Sequence, residues 1–100
     1  MAKLKPRPEE AELVREAAKR IGDGLNVYSC SALRAVLRNL PEFDFLIHLY
    51  SSLFSQHPWF CGPNNQNLCS DETYTLDEQR ADRVLALRMF ANMLEKGTLP

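Results

Sequence analysis

Residues 75–97, TLDEQRADRVLALRMFANMLEKG, decide how the rest of the chain is read. Thr75 followed three residues later by Glu78 is a capping-box pattern: the hydroxyl takes an orphan backbone N–H of the first turn and the carboxylate reaches back. Asp77 and Glu78 stand at the positive end of the helix dipole and Lys96 at the negative end. Gly97 suits the left-handed residue that closes a helix. Between Val84 and Leu94 only Arg88 and Asn92 are polar. They are four apart and share one narrow strip. A helix with so thin a polar face is expected to be covered by other elements, which makes it the core helix.

The stretch in front of it, residues 57–74, reads HPWFCGPNNQNLCSDETY. Pro58, Gly62, Pro63 and the Asn-Asn-Gln-Asn run forbid regular structure there. Loops beyond about 12–15 residues are uncommon in compact domains and are often functional. Trp59 and Phe60 are costly to leave in water, so they either pin this loop to the core or form a contact patch.

Upstream, apolar spacing is helical. Leu13, Val14, Ala17, Ala18 and Ile21 mark a helix over 8–21, opened by Pro8 and ended by Gly22-Asp23-Gly24. Leu25 and Val27 suit a short, partly buried connector. Ser29 is the expected cap of a helix ending at Leu40, with Leu33, Val36 and Leu37 inward and Arg34 and Arg38 on the other face. A third helix is predicted over 41–56, with Leu46, Ile47, Tyr50 and Leu53 inward. Asp44, His48, Ser51 and Ser52 lie opposite. With Leu87, Phe90, Ala91 and Leu94 these make an all-α, single-domain bundle of four helices over 1–100. Residues 1–7 form a basic, frayed tail and 57–74 one long irregular loop before the last helix.

The net charge of −1 argues against a general nucleic-acid or membrane-surface binder. No run approaches the roughly 20 apolar residues that span a bilayer. No apolar segment follows the N-terminal lysines, as a signal peptide would require. A cytoplasmic protein is expected. Three cysteines, Cys30, Cys61 and Cys69, fit a reducing compartment better than a disulfide framework.

Chemistry-bearing patterns are sparse. His48 between Asp44 and Ser51/Ser52 could suggest a hydrolase. Neighbours on one helix surface, however, do not make a nucleophile, base and oxyanion hole unaided. His57, Cys61 and Cys69, with Asp71 as a further donor, form the one metal-ligand candidate. It lacks the close Cys or His pairs of structural zinc sites. There is no phosphate loop, dinucleotide fingerprint or nucleophile elbow, so neither a cofactor nor enzymatic activity is expected. The third helix carries no Lys or Arg and would make a poor DNA-reading helix.

Charge is more informative. Residues 39–79 hold six acids and no Lys or Arg, a segment charge of −6, against +3 for 1–38 and +2 for 80–100. An acidic, aromatic-bearing middle suits a partner with a basic surface. The candidate partner-binding set is Trp59, Phe60, Asp71, Glu72, Asp77, Glu78, Asp44 and His48. Nucleic-acid binding through Lys3, Lys5, Arg7, Arg34 and Arg38 is the alternative. The over-apolar last helix also leaves room for a homodimer.

Tyr28-Ser29-Cys30-Ser31-Ala32-Leu33, Trp59-Phe60 in the loop and Arg83-Val84-Leu85-Ala86-Leu87 in the last helix resemble small phage- or prophage-encoded accessory proteins. That group includes inhibitors of host defence, anti-CRISPR proteins among them. The resemblance implies a non-enzymatic inhibitor that occludes a host protein or its nucleic-acid groove, the acidic middle mimicking nucleic acid. It assigns no residue a role.

Overall fold

The computed structural model describes residues 6–26, 28–54, 57 and 75–97. They form α1 (Pro8–Gly22), α2 (Ser29–Leu37), α3 (Phe43–Phe54) and α4 (Leu76–Lys96), an all-α bundle with no strand among the described residues. None of these helices is long and apolar enough to cross a membrane. Helix α1 packs chiefly along α4 and secondarily against α2, while α3 leans on α2 and meets α4 through aromatic rings.

The α1–α4 seam is built of small residues. Ala11, Ala17 and Ala18 of α1 and Ala86 and Ala91 of α4 are all buried, beside Val14, Ile21, Leu87 and Leu94. Alanines let two backbones approach, and the larger side chains supply apolar area at about 1.5–3 kcal/mol each. Leu33, Leu37, Cys30, Leu46, Ile47, Tyr50 and Phe54 complete the core. Leu13, Val36 and Leu53, expected in that core, are only partly buried against it. On the outer side of the seam Arg15 bridges the helices, donating to Glu12 at 2.5 Å, Glu95 at 3.2 Å and Asn92 at 3.0 Å. Its hydrogen bond to Glu95 holds that carboxyl below the usual carboxylate range and raises the guanidinium.

Both ends of α4 follow the sequence signals. The Thr75 hydroxyl accepts from the Glu78 backbone N–H at 3.2 Å, and Gly97 closes the helix at φ 67° with its N–H on the Met93 carbonyl. The Thr75 hydroxyl donates to the Glu78 carboxylate at 3.1 Å, so the two side chains lock each other. The next orphan carbonyl, Leu94 O, accepts from Arg7 N–H at 2.7 Å. Arg7, expected in a frayed tail, is therefore anchored across the end of α4, because a terminal carbonyl needs a donor. Lys3 and Lys5 lie outside the described residues.

Three expectations change. Tyr28, not Ser29, is the N-cap of α2. The Arg83 guanidinium sits 5.3 Å from the Tyr28 ring centre, and Ser29 becomes the first helical residue. Its hydroxyl is buried with no hydrogen-bond partner among the described residues. Helix α2 stops at Leu37, and α3 starts at Phe43 rather than Pro41. A residue before proline is pushed out of the α region, and the chain makes two turns there, Leu40 N–H to Leu37 O and Phe43 N–H to Leu40 O. Leu25 is 63% exposed instead of buried, because the left-handed Gly24 (φ 79°) folds the chain back so that Leu25 N–H reaches Arg20 O. Val27 lies outside the described residues.

The two caps give a paired prediction. Thr75→Ala should cost about 1 kcal/mol, the usual loss of an N-cap. Ser29→Ala should change stability by less than about 0.5 kcal/mol or raise it, since it deletes an unsatisfied buried hydroxyl. Urea unfolding of both variants checks this, and equal losses would restore Ser29 as a working cap.

Candidate functional site

At the start of α3, Asp44, Phe45, His48 and Ser52 fall on one helix face by i, i+1, i+4 and i+8 spacing, and all four are exposed. Phe45 is 45% exposed, although its neighbours Phe43 and Leu46 turn inward. Arg7 supports it from one side, its guanidinium carbon 5.5 Å from the Phe45 ring centre. That guanidinium also bonds Glu42 and lies 3.7 Å from Glu10. The result is a fixed, half-exposed aromatic ring with Glu42, Asp44 and His48 around it. Sequence reading placed Phe45 beside the apolar face of this helix. The signal for exposure was its i+3 relation to His48 and its adjacency to Asp44.

The acids expected to make one face are divided between the two ends of α4. Arg7 ties the start of α3 to Leu94, near the C-terminus of α4, whereas Asp77 and Glu78 open that helix. Seventeen residues of helix at about 1.5 Å each put these ends about 25 Å apart. Asp77 and Glu78 are exposed, and Asp77 lies 3.8 Å from Arg80. Trp59, Phe60, Asp71 and Glu72 lie outside the described residues.

The other candidates separate similarly. Arg34 and Arg38 are exposed on α2 and in the turn after it, but Arg7 is held by Glu10 and Glu42. His57 is exposed, its ring 6.0 Å from that of Phe54, while Cys61 and Cys69 lie outside the described residues. No group of three or more metal-ligating side chains occurs among the described residues. Ser51 Oγ is buried without a hydrogen-bond partner among the described residues, and His48 stands in solvent. Cys30 is a buried side chain of the core.

Helix α4 departs from expectation on its outer side. Leu85 is 58% and Met89 44% exposed, so its thin polar face is not matched by complete cover. Alongside, an open cleft of about 570 Å³ runs between α1 and α4, with Ala18, Gly22 and Val84 in its lining and Lys19 and Arg88 among its charged groups. Within α4 the large buried side chain that sequence reading missed is Arg83, whose Nη2 donates to Gln79 Oε1 at 3.2 Å. The Gln79–Arg83 spacing of four, on the face that also carries Leu87 and Phe90, was its only trace. No protein-family model matches the chain, nor does any curated protein or solved structure.

Proposed function

We propose that this chain is a non-enzymatic protein-binding module, an inhibitor or regulator that occludes a basic surface of a partner protein. One observation carries the reading: Phe45 is held half-exposed on an ordered helix, with Glu42, Asp44 and His48 beside it. An aromatic braced by Arg7 on an ordered helix is the kind of side chain that anchors an interface, while exposed Asp44 beside it steers a cationic partner. The resemblance to phage-encoded inhibitors of host defence points the same way, and the sequence adds Trp59, Phe60, Asp71 and Glu72 as contact candidates. The exposed Arg34 and Arg38 support a second reading, a nucleic-acid-binding regulator.

Affinity capture from the native host, read by mass spectrometry, distinguishes the two. A single protein partner is expected, lost with Phe45→Ala and with Asp44→Lys, and weakened by Trp59→Ala or charge reversal at Asp71 and Glu72. Capture unchanged by Phe45→Ala and Asp44→Lys would remove the α3 site. Affinity for free oligonucleotides that falls steeply with salt and weakens with Arg34→Ala would favour the second reading.

A further inference from the structure

We propose that the start of α3 is a guanidinium-binding site for an arginine of a partner protein, held in the free chain by this protein's own Arg7. The inference rests on reading this face as a partner surface, and it names the side chain that the surface takes. The site already has an occupant, and the occupant shows its chemistry. The Arg7 guanidinium lies 5.5 Å from the centre of the Phe45 ring and pairs with Glu42, three residues before that ring. An aromatic face beside a carboxylate is what a planar, delocalised cation selects.

Arg7 fills the site poorly. Its contacts to Glu42 Oε2 and Glu10 Oε1 both run through Nη1. Its Nε is buried with no hydrogen-bond partner among the described residues. The two-pronged pairing that makes arginine the better partner of a carboxylate is therefore not made. The backbone explains the misfit. Arg7 N–H is fixed on Leu94 O, and Arg7 O accepts from Ala11 N–H, so the side chain reaches Glu42 from one set direction. An arginine from outside has no such tether and can present its fork to Glu42, whose side chain is half exposed. Arg7 then keeps Glu10, its neighbour on α1, and turning aside returns its orphaned Nε to water. With the guest in place, Glu10, Glu42 and nearby Asp44 stand against two guanidinium groups. Arg38 and Lys96, the cations closest in sequence to Glu42 and Leu94, are exposed and make no ion pair with these acids among the described residues. Glu95, beside Lys96, is taken by Arg15.

Titration of the whole chain with a labelled short arginine peptide tests this, read by fluorescence anisotropy and by the ring resonances of Phe45. Weak, saturable binding is expected. It should be lost with Phe45→Ala and with Glu42→Gln, each with helical circular dichroism intact, since both side chains are exposed. Arg7→Gln keeps the backbone N–H and should tighten the peptide on the order of fivefold, because it removes a competitor held by one exposed pair and one ring contact. Arg38→Gln removes the same charge without the competitor and should change affinity by less than about twofold. A lysine peptide should bind severalfold more weakly. If Arg7→Gln tightens binding no more than Arg38→Gln does, the proposal is overturned. A lysine peptide that binds as well as the arginine peptide overturns it too. The partner reading fails separately. Host capture that depends on Phe45 while the peptide is ignored keeps that reading and removes the arginine site. Peptide binding at Phe45 with no protein captured does the reverse.

Discussion

Phe90→Ala is expected to lower the free energy of unfolding by about 3–5 kcal/mol. Phe90 is fully buried, and its ring meets Tyr50 edge-on at 5.4 Å and 63°. Tyr50 in turn lies 5.0 Å from the Phe54 ring. These rings connect α4 to α3, whose other packing is mainly against α2. Truncation removes the transfer energy of the ring, leaves a cavity and strips Tyr50 of its aromatic contact with α4, leaving the one with Phe54. A domain of this size has about 5–15 kcal/mol in total, so the variant should be near the edge of folding. Phe90→Leu should recover much of the loss by filling most of the space. Urea unfolding followed by circular dichroism gives both numbers. A loss under about 1.5 kcal/mol for Phe90→Ala would mean that α3 can collapse into the gap and that the ring contact is not what holds it.

Arg83→Ala is the second large effect, about 2–4 kcal/mol. Arg83 is 2% exposed. It donates to Gln79 and lies over the Tyr28 ring, so it joins the first half of α4 to the cap of α2. Most of the loss should come from the aliphatic stem and the cavity it leaves, the remainder from the lost hydrogen bond to Gln79. Arg83→Met keeps much of the volume and removes a charge that is costly to bury, and it should restore more than half of the stability. Thermal melts of the two variants decide the matter. If Met is as damaging as Ala, polar contacts rather than packing make this residue necessary.

Sequence made the fold class visible because its signals are local. Thr75, Glu78 and Gly97 interact within a turn or two, and their pattern alone specifies both ends of α4. The α1 stripe from Ala11 to Ile21 is legible for the same reason. Exposure is a different kind of property. Leu85 and Leu87 are two residues apart in one apolar run, yet one is half in water and the other fully buried. Which is covered depends on where α1 and α3 dock, and no spacing within α4 encodes that. Arg83 was missed for the converse reason: a basic residue reads as surface until the cap of another helix lays a ring against it, here Tyr28, beside the Gln79 amide of its own helix. The acidic middle was a real feature of composition, but a run of acids along the chain says nothing of their positions in space. The bundle sends Asp44 to one end of α4 and leaves Asp77 and Glu78 at the other.

The pairing of α1 with α4 bears on how the chain reaches its native state. Bundles whose successive helices pair can fold from local contacts and do so quickly. Here the first helix is packed most extensively against the last, and Arg7 N–H is satisfied by Leu94, far away in sequence. During synthesis α1 emerges with its Val14 and Ile21 stripe exposed and without its main partner. Helix α2 can cover part of that stripe, but its cover is complete only after α4 has been made and the intervening chain has closed into a loop. Until α4 docks, the larger part of the α1 stripe is apolar and open, an opening for chaperones and for misassembly between neighbouring chains.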